Sequence, residues 1–203
     1  MTKTPPRHVA PLDVAEWPSS LHGVSADMQG DPLNVHKIMA HSPNLLRAWW
    51  DFRNYSVNGG SLSPRLAELV ILRVGVHLGA WYEWASHVDR AQRIGLSTDV
   101  IFQTLSPDPE LAAPEALILE AVDALMLRHR IDPEIRAALE QHFSTEQLID
   151  LVAIQGMYVI LGALIHTWDL PLDAAVAARI ASVTNRDDFE QAAAQFQRAL
   201  RGV

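Results

Sequence analysis

Hydrophobic residues along this chain recur at a spacing of roughly three to four positions, which lines one face of an α-helix. The pattern is clearest over Leu66–Gly95, LAELVILRVGVHLGAWYEWASHVDRAQRIG. It predicts two consecutive helices joined near Gly79. On a wheel of about 100° per residue, Leu72 and Gly75 share the side of Glu68. Ile71 and Val76 flank that side, and Arg73 and His77 point the other way. In the second helix Ala80, Trp84, Val88, Ala91 and Ile94 form an apolar stripe with Glu83 and His87 on its edge. Ser86, Asp89, Arg90 and Arg93 are expected to face away.

Punctuation residues divide the rest of the chain. Asp31-Pro32 predicts a helix running to His41, and Ser42-Pro43 opens another that contains Leu45, Leu46, Trp49, Trp50 and Phe52. Asn58-Gly59-Gly60 is a breaker, and Ser63-Pro64 starts the Glu68 helix. Gly95 reads as a C-cap, and Ser97 starts a short helix to Leu105. Ser106–Pro114, with three prolines, reads as a loop. An amphipathic helix is expected over 115–129, and Asp132-Pro133 opens one to His142. Ser144-Thr145-Glu146-Gln147 fits a capping box before a long buried helix to about Thr167. Leu170-Pro171 ends it, and the tail Asp187–Leu200 carries Phe189, Ala192, Ala193 and Phe196 at helical spacing. No segment carries the period-two alternation of a strand, and no repeat is evident. The reading is all-α: one helical-bundle domain over 32–203, after an irregular proline-bearing arm over 1–31 whose Trp17 suggests docking.

Composition narrows the function classes. With 203 residues, 49% of them hydrophobic, the chain can bury one sizeable core. A formal charge of −8 without a basic run lacks the footprint of a nucleic-acid binder or an anionic-membrane binder. The absence of cysteine excludes disulfides, thiolate catalysis and cysteine-zinc sites. The longest apolar stretch, Leu148–Ile165, is interrupted by Asp150, Gln155 and Gly156 and reads as a buried helix, not a membrane span. The N-terminus shows no apolar core of signal-peptide length, so the expected compartment is the cytoplasm.

Three polar residues stand out. Glu68 sits among apolar neighbours, where a carboxylate is costly unless it is paired or protonated. A structural glutamate satisfied by backbone or an arginine fits that pattern as well as a catalytic one. Glu83 and His87, spaced i and i+4, can touch, and the carboxylate would raise the imidazole's basicity into the range of acid–base work. The same pair is also compatible with a helix-surface contact. Trp81, Trp84, Tyr158 and His166 are candidate pocket residues that would equally serve as core. Two carboxylates and an imidazole could also ligate a divalent metal, but the usual two-histidine helical pattern is absent.

The run ELVILRVGVHLGAWYEWASHV, followed by IGLSTDVI, resembles the carboxymuconolactone decarboxylase and alkylhydroperoxidase-D superfamily over residues 64–105. SPNLLRAW and STEQLIDLVAIQGMYVILGALIHTWDLPLD extend the resemblance less specifically. It implies an all-helical fold, assembly as trimers or hexamers, and Glu68, Glu83 and His87 as the functional set. Ala80 and Glu83 stand where the peroxidase branch has its two cysteines, so thiol-dependent peroxide reduction is not available. Ala80 also stands where the decarboxylase branch has an arginine. The expectation is a proton-transfer enzyme without metal or other cofactor. It would decarboxylate or isomerise a small unsaturated cyclic acid or lactone. A non-catalytic ligand-binding homologue and a metal-dependent enzyme are the alternatives.

Overall fold

Serine and asparagine caps set the helix starts. The side chains of Ser63, Ser97, Ser144 and Asn185 accept from the backbone N–H of Leu66, Val100, Gln147 and Asp188 respectively. At Ser144 the full capping box forms with Gln147. The computed structural model describes residues 9–202, so the first eight positions of the predicted arm lie outside the described residues. Among the described residues the elements are helices: α1 (His22–Asp27), α2 (Asn34–Met39), α3 (Pro43–Asn54), α4 (Pro64–Leu78), α5 (Trp81–Arg93), α6 (Thr98–Gln103), α7 (Glu115–Arg128), α8 (Pro133–Leu139), α9 (Thr145–Trp168), α10 (Ala174–Ile180) and α11 (Arg186–Arg201). Short 3-10 turns cover Val14–Glu16 and Ser19–Leu21, and a π-helical turn, Tyr55–Gly59, prolongs α3.

The structure departs from the sequence reading at several places, among them helix α1 inside the arm expected to be irregular. The helix expected from Pro32 begins at Asn34, whose N–H donates to Asp173 Oδ1 at 3.1 Å, a cap supplied from 139 residues away. The breaker Asn58-Gly59-Gly60 acts late, because the π turn carries the helix through Gly59. Helix α10, in a segment where no helix was predicted, packs on α5. By contrast Gly79 and Gly95 take positive φ, +63° and +88°, as helix-terminating glycines do.

Helix α4 is the axis of the core. Every residue from Ala67 to Val76 is buried, with α5, α7 and α9 packed around it. A wheel with a solvent side therefore does not describe this stretch of α4, and its two charged residues, Glu68 and Arg73, must find partners inside. Arg73, fully buried, grips Asp123 of α7 through Nε (2.7 Å) and Nη2 (2.6 Å) and donates to the carbonyls of Thr104 and Ser106. His77 Nε2 completes that cluster at 2.7 Å from Asp123 Oδ1. At Gly75 the α4–α5 crossing is so close that a Cβ would lie 3.3 Å from Trp84 Cβ.

Helix α9 is long and apolar enough to cross a membrane by length and composition. In this fold it buries Leu151, Ile154, Met157, Tyr158, Leu161 and Ile165 against the core. Ile149, Val152 and Ile160 remain exposed on its other side, at 63%, 43% and 51%. Trp17 is buried against its own chain and donates from Nε1 to Leu12 O at 3.2 Å. Trp50 Nε1 similarly bonds Asp27 Oδ2 at 3.0 Å, tying the segment before α2 to α3.

Candidate active site

Glu68 projects from the second turn of α4, and Glu83 and His87 from successive turns of α5. The helix crossing brings them together around the imidazole. His87 Nδ1 lies 2.6 Å from Glu68 Oε2, and Nε2 lies 3.2 Å from Glu83 Oε1. All three side chains are buried. Glu68 is paired a second time: Arg90 Nε meets its Oε1 at 2.6 Å. The open choice about Glu68 thus resolves toward a carboxylate held by an arginine and an imidazole.

Arg90 was expected to face away, and that expectation fails. It lies seven residues, close to two full turns, after Glu83, so it shares a line with Glu83 and His87 along α5. Its spacing was the available signal. Asp89, also expected outside, is buried and held by Arg179 of α10 at 2.7 Å, a contact that depends on the unpredicted helix.

Burial alone would pull the His87 pKa down, but the charges and hydrogen bonds of Glu68 and Glu83 outweigh it and hold the group at about 9. At neutral pH the ring is therefore an imidazolium between two carboxylates. Tyr158 of α9 meets its edge with ring centroids 5.0 Å apart at 87°. Burial, with Glu83 and Glu68 nearby, raises the Tyr158 pKa well above the usual phenol range, so its hydroxyl stays protonated.

His36, Arg53, Glu83, Ser86, His87 and Tyr158 line a cavity of about 40 Å³. At about 10–15 Å³ of probe-occupied space per water, this is room for roughly three waters. Glu68 stands behind the ring, and Glu83 shares the cavity side with it. Glu83 Oε2 and His36 Nδ1 are buried without a hydrogen-bond partner. Burial, then the charge of Arg53, pushes His36 down to about 3, so this second imidazole is neutral. Orphaned buried polar atoms cost free energy, and two of them belong to side chains lining this one small cavity. His36 and Arg53 come from α2 and α3, far from the recognised motif, and nothing in their local sequence pattern singles them out.

The other candidate pocket residues separate. Tyr158 alone reaches the cavity with His87. Trp84 is fully buried core, stacked on Phe189 at 5.0 Å, with Nε1 donating to Thr104 Oγ1 at 3.3 Å. Trp81 and His166 line a different cavity of about 230 Å³ beside Gly79 and Asp169. Ala80 is buried at the start of α5 and does not line the His87 cavity. The metal alternative also loses its geometry. The two carboxylates occupy opposite edges of the ring, and among the described residues no group of three or more His, Asp or Glu is placed to hold a metal ion.

Residues 43–125 match the model of the carboxymuconolactone decarboxylase family. No curated protein matches the sequence. Among solved structures, the chain is similar to an alkylhydroperoxidase AhpD core, an uncharacterized peroxidase-related protein from Ralstonia eutropha JMP134. That similarity has a TM-score of 0.74 and 16% identity, covering 83% of this chain and 93% of the other. It is also similar to the debrominase Bmp8 in complex with 2,3,4-tribromopyrrole, with a TM-score of 0.71 and 20% identity, covering 87% and 97%. A third similar structure is a protein of unknown function from Agrobacterium tumefaciens, a putative antioxidant defence protein AhpD. Its TM-score is 0.62 at 21% identity, covering 67% and 95%. Over α3 to α7 the chain thus resembles the carboxymuconolactone decarboxylase family, and its helical fold is that of the AhpD-like structures, although the chain itself carries no cysteine.

Proposed function

We propose that this protein is a cofactor-independent proton-transfer enzyme that decarboxylates or isomerises a small unsaturated cyclic acid or lactone. The observation that carries the reading is the buried Glu68–His87–Glu83 arrangement at a cavity with an unpartnered Glu83 oxygen. His87 is protonated at rest, so it begins as the acid. In decarboxylation the C–C bond electrons remain on the substrate as an enolate-like carbanion while CO2 departs. The Nε2 proton of His87 is then delivered to that carbon. In isomerisation Glu83 Oε2 takes a proton from one carbon and His87 returns one to another. Glu68 anchors Nδ1 and stabilises the imidazolium, and Arg90 holds Glu68 in place.

A screen of lactones and unsaturated acids by ultraviolet absorbance tests the reaction class. On a substrate so identified, His87→Ala and Glu83→Gln are expected to lower kcat by about 10²–10⁴. Full turnover in both variants would overturn the assignment. The small cavity favours a second reading, a binding protein without turnover. In that case the screen gives saturable binding and no product.

We further propose that the chain self-associates, as a trimer or hexamer. The exposed apolar side of α9, at Ile149, Val152 and Ile160, supports this. Light scattering on wild type and Ile160→Glu tests it: a monomeric wild type refutes the assembly.

A further inference from the structure

We propose that Arg53 is the anion-recognising residue of the His87 cavity, and that it receives a single compact carboxylate of the ligand. This deepens the reading above and rests on it for the identity of the site.

The charged groups lining the cavity are Arg53 from α3 and Glu83 and His87 from α5, and Glu68 of α4 with Arg90 of α5 stand directly behind His87. His36 from α2 and Tyr158 from α9 are neutral. Three cations face two carboxylates, so one positive charge is uncompensated in a largely buried place. Such a charge is costly until an anion joins it.

Among the described residues, the contacts around the cavity single out one cation without a carboxylate partner. His87 and Arg90 are engaged with Glu68 and Glu83. Arg53 makes one long hydrogen bond, from Nη1 to Asn54 Oδ1 at 3.4 Å, and no ion pair joins it to a carboxylate among the described residues. Its guanidinium carbon lies over the Trp50 ring, 5.2 Å from the centroid. A cation–π contact of that kind helps hold the group in place and uses none of its N–H donors in a hydrogen bond. A planar fork with several unused donors matches the two oxygens of a carboxylate.

Size and placement agree. Arg53, Glu83 and His87 line the same cavity of about 40 Å³. With room for roughly three waters, it accepts a carboxylate head of about four heavy atoms, and a larger ring requires α3 or its π turn to give way. The proton donor and the anion site then share one chamber. Arg53 thereby supplies from α3 the cation that position 80, an alanine, does not carry.

The test uses the full chain and imidazole ¹H–¹⁵N correlation spectra at about pH 7, where His87 is charged. Sodium acetate is titrated against acetamide, its neutral isostere. Acetate is expected to shift the His87 signal saturably, and acetamide is not. Arg53→Gln is expected to weaken acetate binding at least about tenfold, with the resting His87 signal in place. Arg53→Lys, which keeps the charge and loses the fork, should fall between, and it carries the test if the Gln variant does not fold. Acetate binding undiminished in either variant, or acetamide binding as acetate does, overturns the proposal. The two readings fail separately. Arg53-dependent acetate binding without turnover of any acid sinks the reaction class and keeps this inference. His87-dependent turnover with acetate binding indifferent to Arg53 does the reverse.

Discussion

Replacing Glu68 by Gln removes one negative charge from the buried site and keeps the shape of the side chain. In the wild type His87 is lifted from 6.5 to about 9 although burial acts against it. That rise is worth about 3 kcal/mol of preference for the charged ring in the folded state. Glu68 touches the ring at 2.6 Å and Glu83 at 3.2 Å, so Glu68 supplies the larger part of the lift. Without it, Glu83 alone must oppose burial, and His87 is expected to titrate below about 7. The sign of the stability effect follows. A folded-state pKa above the unfolded value means this contribution is fully present below about pH 6.5 and is lost as pH climbs through about 9. Urea unfolding at about pH 6, 7.5, 9 and 10 should therefore show a wild-type decline that the variant largely lacks. The difference between the two proteins, on the order of 2–4 kcal/mol at low pH, should shrink toward high pH. Imidazole NMR titration reads the His87 pKa directly. Parallel stability curves, or a variant His87 still titrating near 9, would refute the coupling.

Three other perturbations probe what holds the site in place. Asp123→Ala leaves the fully buried Arg73 without its carboxylate and should cost about 3–5 kcal/mol in urea unfolding. Gly75→Ala puts a methyl against Trp84 at the α4–α5 crossing, should cost about 1–3 kcal/mol, and should alter the His87 signal, because the contacts of Glu68 with His87 and Arg90 span that crossing. Ser144→Ala removes the capping box of α9 and should cost about 1 kcal/mol while leaving the His87 pKa unchanged, which separates loss of stability from damage to the site.

The sequence by itself determined the all-helical class, most helix starts and the Glu83–His87 pair. Those features are local. A serine cap acts three residues ahead, a glycine ends a helix by its own φ, and Glu83 and His87 meet because one helical turn separates them. Only the tertiary structure decided the rest. Glu68 reaches His87 because Gly75 lets α4 and α5 cross closely, and α4 is buried all round, which a wheel of one isolated helix does not show. Arg90 lay within reach of a correct wheel. His36 and Arg53 did not, since they arrive from helices whose own patterns say nothing of the cavity. The start of α2 likewise follows Asp173, a cap 139 residues distant. Trp81 and Trp84 diverge into a separate cavity and the core because neighbours three apart on a helix differ by about 60° in direction, and packing decides what each one meets.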